Sequence, residues 1–224
     1  MSFLFFLYLC NVIIYIMKKT CTQTLYRQEL KGKILQTAME EFTQKGVRAV
    51  KMDDIATRLS ISKRTLYEIY SNKEDLLLEG VRLYHKESAA YMYFFSIQPE
   101  HNVMDIIIEF YQKKMGDLAR TNPVFYSDIH KYETVTAFLE EEHERNEEEA
   151  CRFFERGIHE GFFRPDFDYG IISRIGNVAM KYVMETKMYQ EYDMQYIFRN
   201  IVFTLIRGFC TQKGIEIIDK RLSA

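Results

Sequence analysis

Between Asp53 and Tyr70 the chain holds two helical patterns, each too short to be stable alone, joined by a short turn at Ser60-Ile61. The first pattern runs from about Asp53 to Leu59. Asp53 and Asp54 fall in its opening turn, where the helix dipole favours acids, and Ile55, Ala56 and Leu59 share its inner side. The second runs from Lys63 to Tyr70 behind Ser62, a good N-cap, with Leu66, Ile69 and Tyr70 inward. Ile61 plugs the core between the two. Lys63, Arg64, Thr65, Tyr67 and Glu68 are left facing outward or sideways.

The flanks support this short pair. Upstream, Glu29 to Lys45 reads as an amphipathic helix: Leu30, Ile34, Ala38 and Phe42 recur every four residues, with Leu35 and Met39 beside them. Gly46 follows as a C-cap. Downstream, Ser71-Asn72-Lys73-Glu74 matches a capping box, with Ser71 as the cap and Glu74 reaching back. It opens a helix that extends to about Phe95, and Pro99 closes the region. Only 3 Pro and 10 Gly punctuate 224 residues, and no alternating apolar-polar run is bounded by turn pairs. The chain is therefore expected to be all-α.

Charge separates the chain into two parts. From Lys18 to Lys73 there are 12 Lys and Arg against 6 Asp and Glu, a net of +6; the remainder carries 18 against 26, a net of −8. A basic module on an acidic body suits contact with a polyanion. Two short helices across a tight turn form a helix-turn-helix, whose second helix lies in the major groove with its first residues on the base edges. The outward set has the matching chemistry. Lys63 and Arg64 donate to guanine or to phosphate, Thr65 meets a thymine methyl or a phosphate, and Tyr67 offers a hydroxyl on a rigid ring. Lys73, at a helix start, reaches the backbone. Any one of these alone is more simply a solvated surface residue; the combination and its spacing carry the reading.

The run Met52 to Leu78, MDDIATRLSISKRTLYEIYSNKEDLLL, resembles the signature of the TetR/AcrR family of bacterial regulators, and the similarity covers about residues 28–80. The resemblance implies base-proximal roles for Lys63, Arg64, Thr65 and Tyr67. It implies that Ser62 caps the reading helix near the groove and that Lys73 touches phosphate. Three positions depart from the family's pattern. Lys51 stands where a Thr often caps the second helix, and a lysine there can contact phosphate instead. Ser60 replaces the usual turn glycine and is expected to adopt a left-handed conformation. Ile69 replaces a frequent histidine, so one backbone contact is expected to be missing.

The layout expected from these features is an apolar leader at 1–17, a DNA-binding domain at 18–72 and a helical effector-binding and dimerisation domain at 73–224. Met1 to Met17 carries no charge and is followed by Lys18-Lys19. Three readings of it compete: a marginal transmembrane anchor, a signal peptide lacking a basic start, and a mis-assigned start with translation beginning at Met17. The last is preferred, because everything after Met17 reads as a complete soluble protein.

Beyond Val103 the pattern continues as helices at about 103–118, from Pro123 through Ile129, and at about 135–158. The acidic run Glu140–Glu149 is read as a solvated face. A break at about 157–166 precedes helices at about 167–189 and 193–208. By resemblance these two pair with their copies in a second subunit, giving a homodimer through about residues 167–209 on a palindromic operator in double-stranded DNA. Ile171, Ile175, Val178, Ala179, Tyr182, Ile197, Ile201 and Leu205 supply apolar faces that allow it, although the same faces also suit an intrachain core. The middle helices would then enclose a small-molecule effector, with Phe94, Phe110, Tyr111, Met115, Phe125, Tyr126, Phe154 and Tyr182 as candidate contacts. Aromatic stripes are more often core than pocket. The expected mechanism is that of a repressor released when effector shifts the population of head spacings.

No enzyme chemistry, cofactor or metal is expected. His85, His101, His130, His143 and His159 form no H-E-x-x-H, and there is no G-x-S-x-G or glycine-rich phosphate loop. Cys10, Cys21, Cys151 and Cys210 lack close pairing and read as reduced thiols of a cytoplasmic protein. Two rival readings stay open: a regulator tethered through residues 1–17, and a helical adaptor that has lost DNA binding, suggested by Glu68 and Ile69.

Overall fold

The computed structural model describes residues 25–145 and 147–222; the leader and the first two cysteines lie outside them. Among the described residues the regular structure is helical, apart from one isolated bridge between Phe163 and Cys210. Residues 25–45 form α1. It is followed by α2 (Met52–Arg58), α3 (Lys63–Tyr67), α4 (Lys73–Ser96), α5 (Val103–Arg120), α6 (Pro123–Ile129), α7 (Glu133–Arg145), α8 (Glu147–His159), α9 (Tyr169–Glu185), α10 (Met194–Phe209) and α11 (Gln212–Leu222). A single 3-10 turn at Met188–Gln190 lies between α9 and α10. No helix among the described residues is long and apolar enough to cross a membrane.

The periodic stripes do bury. Ile34, Ala38 and Phe42 of α1, Ile55 of α2, Leu66 of α3 and Leu76 and Leu77 of α4 are all fully buried in one cluster. Each of the larger ones, the Ile, Leu and Phe side chains, carries about 1.5–3 kcal/mol of apolar transfer energy, which is why helices as short as α2 and α3 persist. This core does not stop at residue 72. Phe125 and Ile129 of α6 and Val135 of α7 enter it, so the reading head and the body share one hydrophobic interior. Gly46 takes φ +84 after α1, as a C-cap glycine should. A Cβ there would meet Val124 Cγ1 at 2.8 Å, so α6 closes in against the end of α1 only because position 46 has no side chain.

Several local expectations shift. The cap of α4 is Asn72, not Ser71: its side-chain oxygen accepts from Asp75 N at 2.8 Å, while the Ser71 hydroxyl donates to the Asp75 carboxylate. Glu74 does not reach back; its Oε1 accepts from Thr134 Oγ1 at 2.6 Å and so ties α4 to the start of α7. The reading helix ends at Tyr67 rather than Tyr70, and Ile69 N and Tyr70 N then both donate to Leu66 O. The span expected as one helix over 135–158 is helical in α7 and α8, which lie on either side of residue 146, itself outside the described residues. The expected pair at 167–189 and 193–208 is present as α9 and α10, and α11 follows them unforeseen, with Ile218 and Leu222 buried in the C-terminal cluster.

Candidate nucleic-acid interface

The helix-turn-helix is held from below by Leu66 and from both ends by polar contacts. Ser62 caps α3 as expected: its Oγ accepts from Thr65 N at 3.0 Å and lies 2.8 Å from Thr65 Oγ1. Ser60 adopts φ 54, the left-handed conformation that the missing turn glycine implies. At the opening of α2, Lys51 has no side-chain acceptor with which to cap. Asp54 supplies the cap instead, its Oδ2 accepting from Lys51 N at 2.9 Å, and this leaves the Lys51 side chain exposed.

The outward face of α3 is as read from the sequence. Leu66 is 0% exposed, Tyr67 is 48% exposed, and Lys63 and Arg64 stand in solvent. What the sequence did not reveal is that both cations already have internal partners. Lys63 pairs with Asp53 of α2, and Arg64 Nε lies 2.9 Å from Glu68 Oε1 one turn on. The hydrogen bonds, reinforced by the charges, raise both pKa values above their ordinary range. Arg27 Nη2 donates to Glu68 O at 2.8 Å, tying the start of α1 to the end of α3. On the other side of the head, Arg58 pairs with Glu40 and with Glu41, which is 4% exposed. The Glu41 carboxyl is held below its ordinary range, first by the Lys45 hydrogen bond and then, against the opposing effect of burial, by Arg58.

Lys73 is placed differently from its neighbours. Its ammonium donates to Val47 O at 2.9 Å and to Val50 O at 3.0 Å, fixing the loop that carries the chain from α1 to α2. Two of its three N–H donors are taken up there, and burial lowers its pKa. Ile69 is half-buried against the head core and has no hydrogen-bonding group to offer a backbone.

Two residues passed over in the sequence connect this head to the body. Asn122 caps α6, accepting from Val124 N at 3.0 Å, while its own N–H donates to Thr43 O at 2.7 Å and its amide to Gln44 O at 3.1 Å. Asp128, 2% exposed, accepts from Arg48 N at 3.0 Å and from the Lys131 ammonium at 3.0 Å. The pair Asn122-Pro123 is a recognisable helix start; the buried role of Asp128 leaves no local signal, because its partner Arg48 is remote in sequence.

The eight aromatic and apolar residues expected at an effector site are spread over several clusters. Phe125 belongs to the head core. Tyr111 and Phe154 belong to the C-terminal cluster, where Tyr111 stacks on Phe198 and Phe154 on Tyr169. Met115 packs against that same cluster, and Tyr126 spans the head core and a third cluster that includes Val183 and Met184. Phe94 and Phe110 are exposed. Beside Phe110 lies a polar group made by α4 and α5. Lys114 donates to Tyr84 Oη at 3.1 Å and lies 5.7 Å from the Phe110 ring, and Tyr84 Oη donates to Asp117 at 2.5 Å. Tyr182 lines a separate groove of about 900 Å³ between α9 and α10, together with Ile171, Ile175, Val178 and Tyr196. Val178 there is 66% exposed, whereas Val183, Ile197 and Phe209 turn inward, so the apolar faces of α9 and α10 serve both an interior and an open surface. Among the described residues no group of His, Cys, Asp and Glu is arranged to hold a metal ion.

Comparison with known proteins places this head among bacterial regulators. The signature of bacterial regulatory proteins of the tetR family matches residues 34–79. The HTH-type transcriptional repressor KstR2 of Mycobacterium tuberculosis is 23% identical over 163 residues, 64% of this chain and 74% of that protein. The HTH-type transcriptional activator FasR of Mycolicibacterium smegmatis is 43% identical over 52 residues, 23% of this chain and 24% of that one. The crystal structure of a TetR-family regulator from Agrobacterium tumefaciens superposes with a TM-score of 0.66 at 17% identity, covering 83% of this chain and 100% of that one. The resemblance thus extends beyond the head to the arrangement of helices as a whole.

Proposed function

We propose that this chain, which belongs to the TetR family of bacterial regulatory proteins, binds a palindromic operator as a homodimer and is released from it by a small-molecule effector. It is a DNA-binding transcriptional regulator. The observation that carries the reading is α3 itself: a capped single-turn helix, seated on fully buried Leu66, that presents Lys63, Arg64, Thr65 and Tyr67 outward. Lys63 and Arg64 would read base edges by exchanging Asp53 and Glu68 for guanine acceptors, and Tyr67 and Lys51 would hold the sugar-phosphate backbone. Ser62 and Thr65 would sit at the groove, bonded to one another.

The second subunit would cover the groove between α9 and α10, where Val178, Tyr182 and Tyr196 lie open. Two copies would place two reading helices on half-sites one helical turn apart. The effector would lie among α4, α5 and α6, near Phe110, Tyr126 and the Lys114–Tyr84 pair. Its action would pass to the head through α6, which holds the end of α1 by Asn122 and Asp128. Repression is the preferred direction, in line with KstR2, although FasR activates.

The test is a footprint of the DNA flanking the chain's own gene across a salt titration. A protected palindrome whose affinity falls steeply with salt supports the reading. No protection at low salt would sink it.

A further inference from the structure

We propose that the seam between the reading head and the body is a binding site for a small, multiply charged anion of the phosphate or pyrophosphate class. A crevice of about 290 Å³ opens where the end of α1, the loop after it, α6 and the segment 187–190 meet. Four cations line it: Lys45, Arg48, Lys131 and Lys187. They come from stretches remote in sequence, and two of them belong to a part of the chain whose net charge is −8. Their convergence is therefore not a by-product of a generally basic surface.

The carboxylates nearby are already engaged. Asp128 is the acid of the crevice, and its two oxygens are taken by Arg48 N and by Lys131. Lys45 pairs with Glu41, which also serves Arg58. Among the described residues no carboxylate lies within ion-pair distance of the Arg48 guanidinium or the Lys187 ammonium. The crevice thus holds two cations in excess, one of them a planar guanidinium suited to bidentate contact with phosphate oxygens. Lys187 has φ 56, a backbone conformation disfavoured for an L-residue that bears a side chain. The Ser127 hydroxyl and the Gln190 amide add neutral donors to the wall. The volume is below that of typical drug-sized sites and matches a compact anion.

The reading helix contributes nothing to this site, and the proposal stands whether or not the effector assignment above holds. Titrating the full chain with sodium pyrophosphate in a calorimeter, at about 50 mM salt and against a sodium chloride control, tests it. Saturable binding of one anion per chain is expected. R48Q and K187G should each weaken it about tenfold, the loss expected for one charge-assisted hydrogen bond. K187G removes the charge while suiting the backbone, so its loss of binding cannot be ascribed to misfolding. K86Q, a charge change elsewhere on the surface, should bind pyrophosphate as the parent does. Absence of saturable heat overturns the proposal, as does equal binding by parent, R48Q and K187G. If the two variants lose operator affinity while binding pyrophosphate like the parent, the crevice serves the DNA backbone instead and the proposal is again overturned.

Discussion

Replacing Lys73 by methionine separates two tasks that the residue is able to perform. The family resemblance assigns it to a phosphate, whereas its ammonium bonds to the carbonyls of Val47 and Val50. A hydrogen bond to a charged group contributes about 1.5–3 kcal/mol where it is well buried. Both carbonyl contacts are only partly buried, and removal of the ammonium also returns the desolvation penalty that lowers its pKa. The net loss for K73M, which keeps the aliphatic stem, is therefore about 1–2 kcal/mol. For a chain of this length that corresponds to a fall in Tm of about 2–8 °C. Thermal unfolding followed by circular dichroism measures it. Fluorescence anisotropy with operator DNA across a salt series then reads the second task. If Lys73 serves only the loop, the slope of log affinity against log salt stays that of the parent; a lost phosphate contact lowers it by about 0.9. A variant that melts within about 1 °C of the parent refutes the argument that these carbonyl contacts hold the head together.

Three further outcomes follow from the same geometry. V178E places a charge in the open groove of α9 and α10, and light scattering should show a monomer where the parent is a dimer, with loss of the palindromic footprint; a dimer that persists refutes that assignment of the interface. S60G relieves the left-handed serine and should stabilise the chain by about 1 kcal/mol, raising Tm by about 2–4 °C without weakening DNA binding, as calorimetric melting and anisotropy will show. The Glu41 carboxyl is held below its ordinary range by Lys45, so the stability it contributes is fully present above that range and is lost as pH falls through its lowered value. Urea unfolding from about pH 6 down to about pH 3 should therefore show a steeper loss for the parent than for E41Q, and identical slopes would exclude the effect.

Much of the head was legible because its constraints are local. Ile34, Ala38 and Phe42 sit one helical turn apart, Ser62 stands where a cap is needed, and a serine at position 60 lacks the glycine that the turn requires. Each statement involves residues within a turn or two of one another, and the structure agrees with each. What stayed hidden depends on partners far along the chain. Ser71 and Asn72 are both good caps; Asn72 takes the role, bonding Asp75 N, while Glu74 is drawn away to remote Thr134. Lys63 looked free until Asp53, on another helix, came within reach. The aromatic residues were the least legible. Tyr111, Phe125 and Phe154 share one composition cue, yet Phe125 fills the head core while Tyr111 and Phe154 join the C-terminal cluster, and the cue carries no information about which aromatics meet. The last helix, α11, was overlooked although Ile218 and Leu222 lie one turn apart, because its stripe is short and its support, the ion pair of Arg221 with Asp105, comes from α5.

The internal ion pairs of the reading helix bear on how such a head searches a genome. Lys63 and Arg64 arrive at DNA with counterions that are part of the protein, Asp53 and Glu68, and these do not diffuse away. On a random stretch of duplex, phosphate contacts made by these side chains would be offset in part by the loss of the exposed pairs to Asp53 and Glu68. The head would then gain little from arbitrary sequence, and its sojourns there would be brief. Where a guanine presented two acceptors in register, the guanidinium would gain a planar, bidentate match and leave Glu68. Under the proposed assignment of α3 to the major groove, Asp53 and Glu68 would compete with every candidate site, lowering the dwell on bulk chromosome more than the dwell on the operator and widening the ratio between them.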